Sequence, residues 1–322
     1  MKNIYTDLAL EVAEALIETT QSTLDGVEIE RTEYPEYTVT WVKVTNETGA
    51  RILSREIGNY VTVESQSLRT GDVTAHEKII EVLVDIIARL KKNDDGDVLV
   101  VGLGNHGVTP DALGPRVVSK TFVTRNILNE VPDETRGKTR PVAAVAPGVL
   151  GTTGIETRDI VKGICEKMNP SLVIAVDALA ARKTSRVNTT IQVTDTGIVP
   201  GGGMGNARAA LNEYFLGTQV IAIGVPTVVD AATLVTDCLD SVLELLAETE
   251  QDTETYSELS KLREEEKYEI VSVALEPYDG NMFVTPKEVD EVIARLSNVI
   301  ANALNISLHK GITLEDINRF MY

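Results

Sequence analysis

Four short, wholly apolar runs constrain this chain most: Val98–Val101 behind Asp97, Val142–Val145 behind Pro141, Leu172–Val176 behind Ser171 and Val220–Ile223 behind Gln219. Each is followed by a loop rich in Gly, Pro or Asp and then by helical sequence such as 159–168. A strand without polar alternation has both faces buried, which a parallel sheet covered by helices on both sides provides. The expected fold class is therefore α/β, a parallel-rich twisted sheet flanked by helices. In such sheets ligands and catalytic groups gather just past the carboxyl ends of the strands.

The flanking sequence reads differently. Residues 7–20 place Leu8, Val12, Ala15 and Leu16 at helical spacing behind a Thr6 or Asp7 cap. Residues 27–45 and 59–64 alternate apolar and polar positions, as half-buried antiparallel strands do, and Trp41 is assigned to the core. Residues 74–93 form a helix with Ile79, Ile80, Leu83, Ile86, Ile87 and Leu90 on one face. Thr285-Pro286-Lys287-Glu288 reads as a capping box, launching a helix to about Leu304 with Val289, Val292, Ile293, Leu296, Val299 and Ile300 facing inward. The whole, 1–322, is taken as one domain with a β-rich insertion at 20–66 and an acidic surface excursion at 241–284 before the C-terminal helix. Whether 241–322 docks on the sheet is left open.

Charge and composition remove several function classes. The 322 residues carry 30 Lys+Arg against 49 Asp+Glu, a formal net charge of −19, with no basic cluster, so direct nucleic-acid binding is not expected. No stretch approaches the roughly 18 apolar residues of a membrane helix, and the N-terminus lacks a secretory signal, so a cytoplasmic protein is expected. Cys165 and Cys238 are too few for a disulfide framework or a zinc site, and His76, His106 and His309 fall at spacings that form no metal-ligand motif. Cys165 reads as a small core residue.

The loops after the apolar runs hold the chemistry. Gly102-Leu-Gly-Asn105-His106-Gly107 matches G-x-G-x-x-G, but neither a helix at the third Gly nor an acidic residue at a following strand end accompanies it, so a dinucleotide site is set aside. The glycines instead allow a tight turn and leave room for a bound chain. Thr109-Pro110-Asp111 looks like a helix start, with Thr109 as N-cap and Asp111 in the first turn. Asp177 closes the third run among apolar neighbours, where a carboxylate is costly unless paired, hydrogen-bonded or used. If Asp111 and Asp177 face each other, like charge raises one pKa, and the pair can activate water against a peptide carbonyl and protonate the leaving nitrogen. Asn105, His106, Glu156, Asp195 and Asp230 sit in comparable loops as supporting or substrate-binding candidates. Asp195 precedes the glycine-rich segment Gly201–Asn206, read as a turn. A non-catalytic protein whose carboxylates cap backbone amides is the alternative from another class.

Gly102-Leu-Gly-Asn105 followed by Val108-Thr-Pro-Asp-Ala-Leu-Gly-Pro115 resembles the germination protease family of spore-forming bacteria. So do Ala146–Thr157, Ala175–Arg182, Asp195-Thr-Gly197 and Gly224-Val-Pro-Thr-Val-Val-Asp230, and the likeness runs from Thr6-Asp7-Leu8-Ala9 to Asn305–His309. The resemblance implies an endopeptidase that begins the breakdown of small acid-soluble spore proteins during germination. It implies an atypical aspartic-type site on Asp111 and Asp177, a homotetramer in the spore core, no cofactor, and a fold like that of hydrogenase-maturation proteases. Because those enzymes bind a metal, the resemblance also raises a metal-assisted alternative with Asp111, Asp177 and either Asp230 or His106 as ligands. Family members are made as zymogens. Five residues precede Thr6 here, so the propeptide is expected to be short or absent.

Overall fold

The computed structural model describes residues 6–20, 23–128, 138–199, 210–248, 261–278 and 282–320. Among these, nine strands form one sheet. The apolar runs become β4 (Val98–Gly102), β5 (Val142–Val145), the first part of β6 (Leu172–Ala181) and the first part of β8 (Gln219–Asp230). They pair in parallel in the order β8-β6-β4-β5. The alternating segments become β1 (Val27–Glu33), β2 (Thr38–Val44) and β3 (Gly58–Glu64), antiparallel hairpins as expected. They are not a separate insertion beside the sheet but its other half. β7 (Thr190–Thr194) pairs antiparallel with both β3 and β8 and joins the two halves. β9 (Phe283–Val284) pairs with the far end of β8.

One face is covered by α3 (Val73–Leu90), α4 (Leu113–Val118) and α8 (Val289–Leu308), and all the inward residues expected on 74–93 and 285–304 are buried there. Trp41 is half-buried against this cluster. Residues beyond 284 therefore dock on the sheet. α5 (Thr157–Met168), with buried Cys165, covers the parallel half on the opposite face, and α1 (Ala9–Thr20) with α2 (Glu47–Leu53) covers β2 and β3.

Within the acidic stretch, the described residues form two helices. α6 (Ala231–Glu248) packs against α7 (Glu264–Leu275), and Lys267 pairs with Asp240 across them. The segment Gly201–Asn206 lies outside the described residues. No helix among the described residues is long and apolar enough to cross a membrane.

Thr285 does not cap α8. The helix begins at Val289 after Glu288, which makes no side-chain cap bond, and the Thr285 hydroxyl donates instead to the Thr227 carbonyl at 2.9 Å. α1 is pinned to the sheet by a buried ionic cluster. Arg186, its side chain 8% exposed, makes two hydrogen bonds with Glu14 at 2.8 and 2.9 Å and one with Glu64 at 2.8 Å. Glu11 accepts the Arg182 and Lys183 N–H groups. A guanidinium this enclosed is stable only with its hydrogen bonds satisfied, and burial notwithstanding, the carboxylates hold it more firmly protonated than usual.

Candidate active site

β4 stops at Gly102, opposite Val176, and the Leu103 N–H bonds the Val176 carbonyl at 2.8 Å. Asp177 is the first residue of β6 past that point, but β6 itself continues to Ala181 alongside β8. The strand end that Asp177 marks is thus that of β4 rather than its own. Its apolar run ends at Val176, but pairing with β8 carries the strand on. Asp177 is 4% exposed, stands in register with Gly224, and accepts the Ala178 N–H on Oδ1 at 2.9 Å. By strand alternation it continues the row of Val173 and Ala175 on the α5 face.

Asp111 arrives from β4. Gly104 has φ +106°, and a Cβ there would stand 2.1 Å from the Asp111 carbonyl oxygen. A Cβ on Gly102 would fall 2.2 Å from the Gly114 carbonyl oxygen. The room these glycines leave is therefore filled by the chain's own return path, not by a bound chain. Thr109–Asp111 is one 3-10 turn preceded by Val108, separate from α4. Thr109 is no N-cap; its hydroxyl donates to Asp290 Oδ1 at 2.9 Å. Asp111 is half-buried and its Oδ2 accepts the Asn105 N–H at 2.7 Å, so Asn105 acts through its backbone. The Asn105 side chain accepts the Gly107 N–H at 2.9 Å. The turn packs against β6, β8 and α8, which brings Asp111 to the same end of the sheet as Asp177.

The other candidates separate. His106 is exposed in the loop beside Asp111, and Glu156 is half-buried at the start of α5, making no cap bond. Asp195 is engaged elsewhere, accepting the Asn59 N–H at 2.8 Å and the Asn59 amide at 2.7 Å, at the edge between β7 and β3. Asp230 closes β8, six residues beyond Gly224 and hence about 20 Å along the strand. It accepts the Tyr268 hydroxyl at 2.8 Å and the Thr233 N–H at 3.4 Å. The carboxylates of Asp195 and Asp230 are thus engaged by Asn59 and by Tyr268 and Thr233, respectively. Among the described residues no group of three His, Cys, Asp or Glu converges, so the donor set for a metal alternative is not assembled.

A cavity of about 170 Å³ opens beside Gly224, lined among others by Leu179, Gln192, Tyr60, Arg55 and Asp7. Asp7 had no place in the expected site. Its N–H and carboxylate take the carbonyl and N–H of Ala180 at 3.2 and 2.8 Å, on the edge of β6 that β4 leaves bare. Burial pushes the Asp7 carboxyl above its usual range, with the Ala180 N–H and Arg55 only partly opposing it.

The germination protease family model matches residues 5–260 and 244–321. The chain is 43% identical to the germination protease of Clostridium acetobutylicum over 100% of both chains. It is 44% identical to that of Clostridium perfringens over 100% of both, and 40% identical to that of Bacillus pumilus over 98% of this chain and 96% of the relative. Among solved structures, a [NiFe] hydrogenase maturation protease from Thermococcus kodakarensis overlaps 69% of this chain and 98% of its own, at 17% identity and a TM-score of 0.34. With a family match spanning nearly every residue and relatives aligned end to end, this chain belongs to the germination protease family.

Proposed function

We propose that this protease hydrolyses small acid-soluble spore proteins in the germinating spore core, working as a homotetramer, with Asp111 and Asp177 as its acid–base pair. The ionised member takes a proton from water as the water oxygen attacks the scissile carbonyl. The protonated member gives its proton to the leaving nitrogen as the C–N bond breaks, so the pair ends with its proton on the other carboxyl and resets by exchange with solvent. The observation that carries this reading is the arrival of two carboxylates at one sheet end by different routes. Asp111 comes on a turn packed against Gly102 and Gly104, and Asp177 on the strand that outruns β4.

The test is incubation of purified protein with a small acid-soluble spore protein and fragment analysis by mass spectrometry. Discrete cuts are expected from the wild type, and a loss of rate of about 10³-fold or more from folded Asp111→Asn and Asp177→Asn variants. Undiminished cutting by either variant overturns the assignment of that carboxylate. Variants that alter only thermal stability, with no proteolysis by any form, favour carboxylates that merely cap backbone amides.

A further inference from the structure

β6 and β8 keep a regular parallel register as far as Leu179 opposite Pro226, and resume with Ala180 opposite Val228. Thr227 is the residue left over, a bulge in an otherwise continuous strand. Bulges turn a side chain out of the pattern its strand dictates, and they concentrate next to active sites. Here the side chain so released is fully enclosed, 1% exposed, and its hydroxyl donates to the Pro110 carbonyl at 2.7 Å. That carbonyl belongs to the peptide unit whose nitrogen is Asp111's. The Thr227 carbonyl in turn accepts the Thr285 hydroxyl at 2.9 Å, so the bulge is held from both sides.

We infer that Thr227 is a positioning residue that fixes Asp111 relative to Asp177, an inference that rests on the proposed acid–base pair. β8 contacts both partners. Gly224 is the register neighbour of Asp177, and three residues later Thr227 anchors the turn carrying Asp111. One strand thereby measures the spacing between the two carboxylates. The turn is also tied by the Asn105 N–H to Asp111 Oδ2 at 2.7 Å and, nearer the surface, by Thr109 to Asp290, while Arg116 of the following α4 donates to the Asp290 carbonyl at 3.2 Å. The Thr227 side chain is itself enclosed, so water competes little for its link to the turn.

Thr227→Val keeps the shape and removes the donor. With Asp111 free to shift, kcat falls about 10- to 100-fold while KM changes less than about threefold, because misplacement of a reacting group by ~1 Å costs that much without weakening substrate contacts. Thr227→Ser, which restores the hydroxyl, returns kcat to within about threefold of wild type. Wild-type kcat in the Val variant overturns the inference, as does a Ser variant as slow as the Val variant, since packing of the methyl would then be the cause. If the Val variant does not fold, Thr285→Val decides: a several-fold loss of kcat at constant KM supports the inference, and unchanged kcat overturns it. Asp111→Asn run alongside separates the two failures. If it is inactive while Thr227→Val is fully active, only the positioning role falls; if it retains activity, the acid–base pair itself is wrong.

Discussion

Gly104 and Gly163 differ in what one methyl group would meet. At Gly104 the backbone is left-handed, and a Cβ would collide with the Asp111 carbonyl oxygen at 2.1 Å. Gly163 lies within α5 with nothing within 4 Å of the added atom. Gly104→Ala is therefore expected to lower stability and proteolysis together, whereas Gly163→Ala stabilises by about 0.5–1 kcal/mol through helix propensity. Denaturant unfolding and a peptidase assay on both variants check this, and a Gly104→Ala enzyme of wild-type activity would contradict the tight return path. Two half-buried carboxylates slope oppositely with pH. Burial would push Glu14 up, but hydrogen bonds and charge from Arg186, helped by Lys183, bring it below its usual 4.5. Its contribution is complete above 4.5 and fades as pH falls through the lower folded value. Asp7 is raised from its usual 3.8, so its ionisation costs stability as pH rises from there through the raised value. Thermal melts near pH 7 should show Glu14→Gln less stable than wild type and Asp7→Asn more stable, with both differences shrinking near pH 3. An Asp7→Asn protein less stable at neutral pH would mean that the charge itself holds the segment down.

Elements announced themselves in the sequence where one periodicity governed their whole length. α3 and α8 display their buried faces residue by residue, and Leu296→Ala, at a position 0% exposed, should cost about 2–5 kcal/mol in urea unfolding. A cost below about 1 kcal/mol would show that α8 is not docked. Of the parallel strands, β4 and β5 were legible almost end to end, but β6 and β8 in their first halves only. Asp177 interrupts the apolar run of β6, and Pro226-Thr227 that of β8, so the residues proposed for the site are the ones that break the pattern identifying the strand. β7 escaped notice since Thr190-Ile-Gln-Val-Thr194 is buried on both faces while alternating like a surface strand, with Gln192 bonded to Asp7 and Ala9 and Thr194 to Thr196. Cap motifs misled for a related reason. Thr109 and Thr285 have the right type and spacing to cap helices, but each hydroxyl is spent on a tertiary partner that no local window contains. The two proposed aspartates could be named from the sequence, whereas the bulge and the glycine-lined turn proposed to place them could not.

At the scale of the whole molecule, the sheet is two sheets in one. The parallel half carries the candidate site and is sealed by helices on both faces, while the antiparallel half extends outward until β1, whose residues are exposed from Glu28 to Glu33. A strand with a bare edge and no cover is an invitation to pair with another chain, and natural sheets answer it with charge. β1 carries Glu28, Glu30, Arg31 and Glu33 in its seven residues. That defence depends on ionisation, and it weakens as pH approaches the sequence pI of about 4.6, where the −19 charge also vanishes. Light scattering should therefore rise steeply on mild acidification, and Glu30→Val should bring the onset to higher pH. If the variant aggregates no sooner than wild type, assembly begins elsewhere. The same outermost strand, which reaches the core only through Val27, thus sets the conditions under which the protein can be concentrated, stored or crowded without forming fibrous or amorphous aggregates.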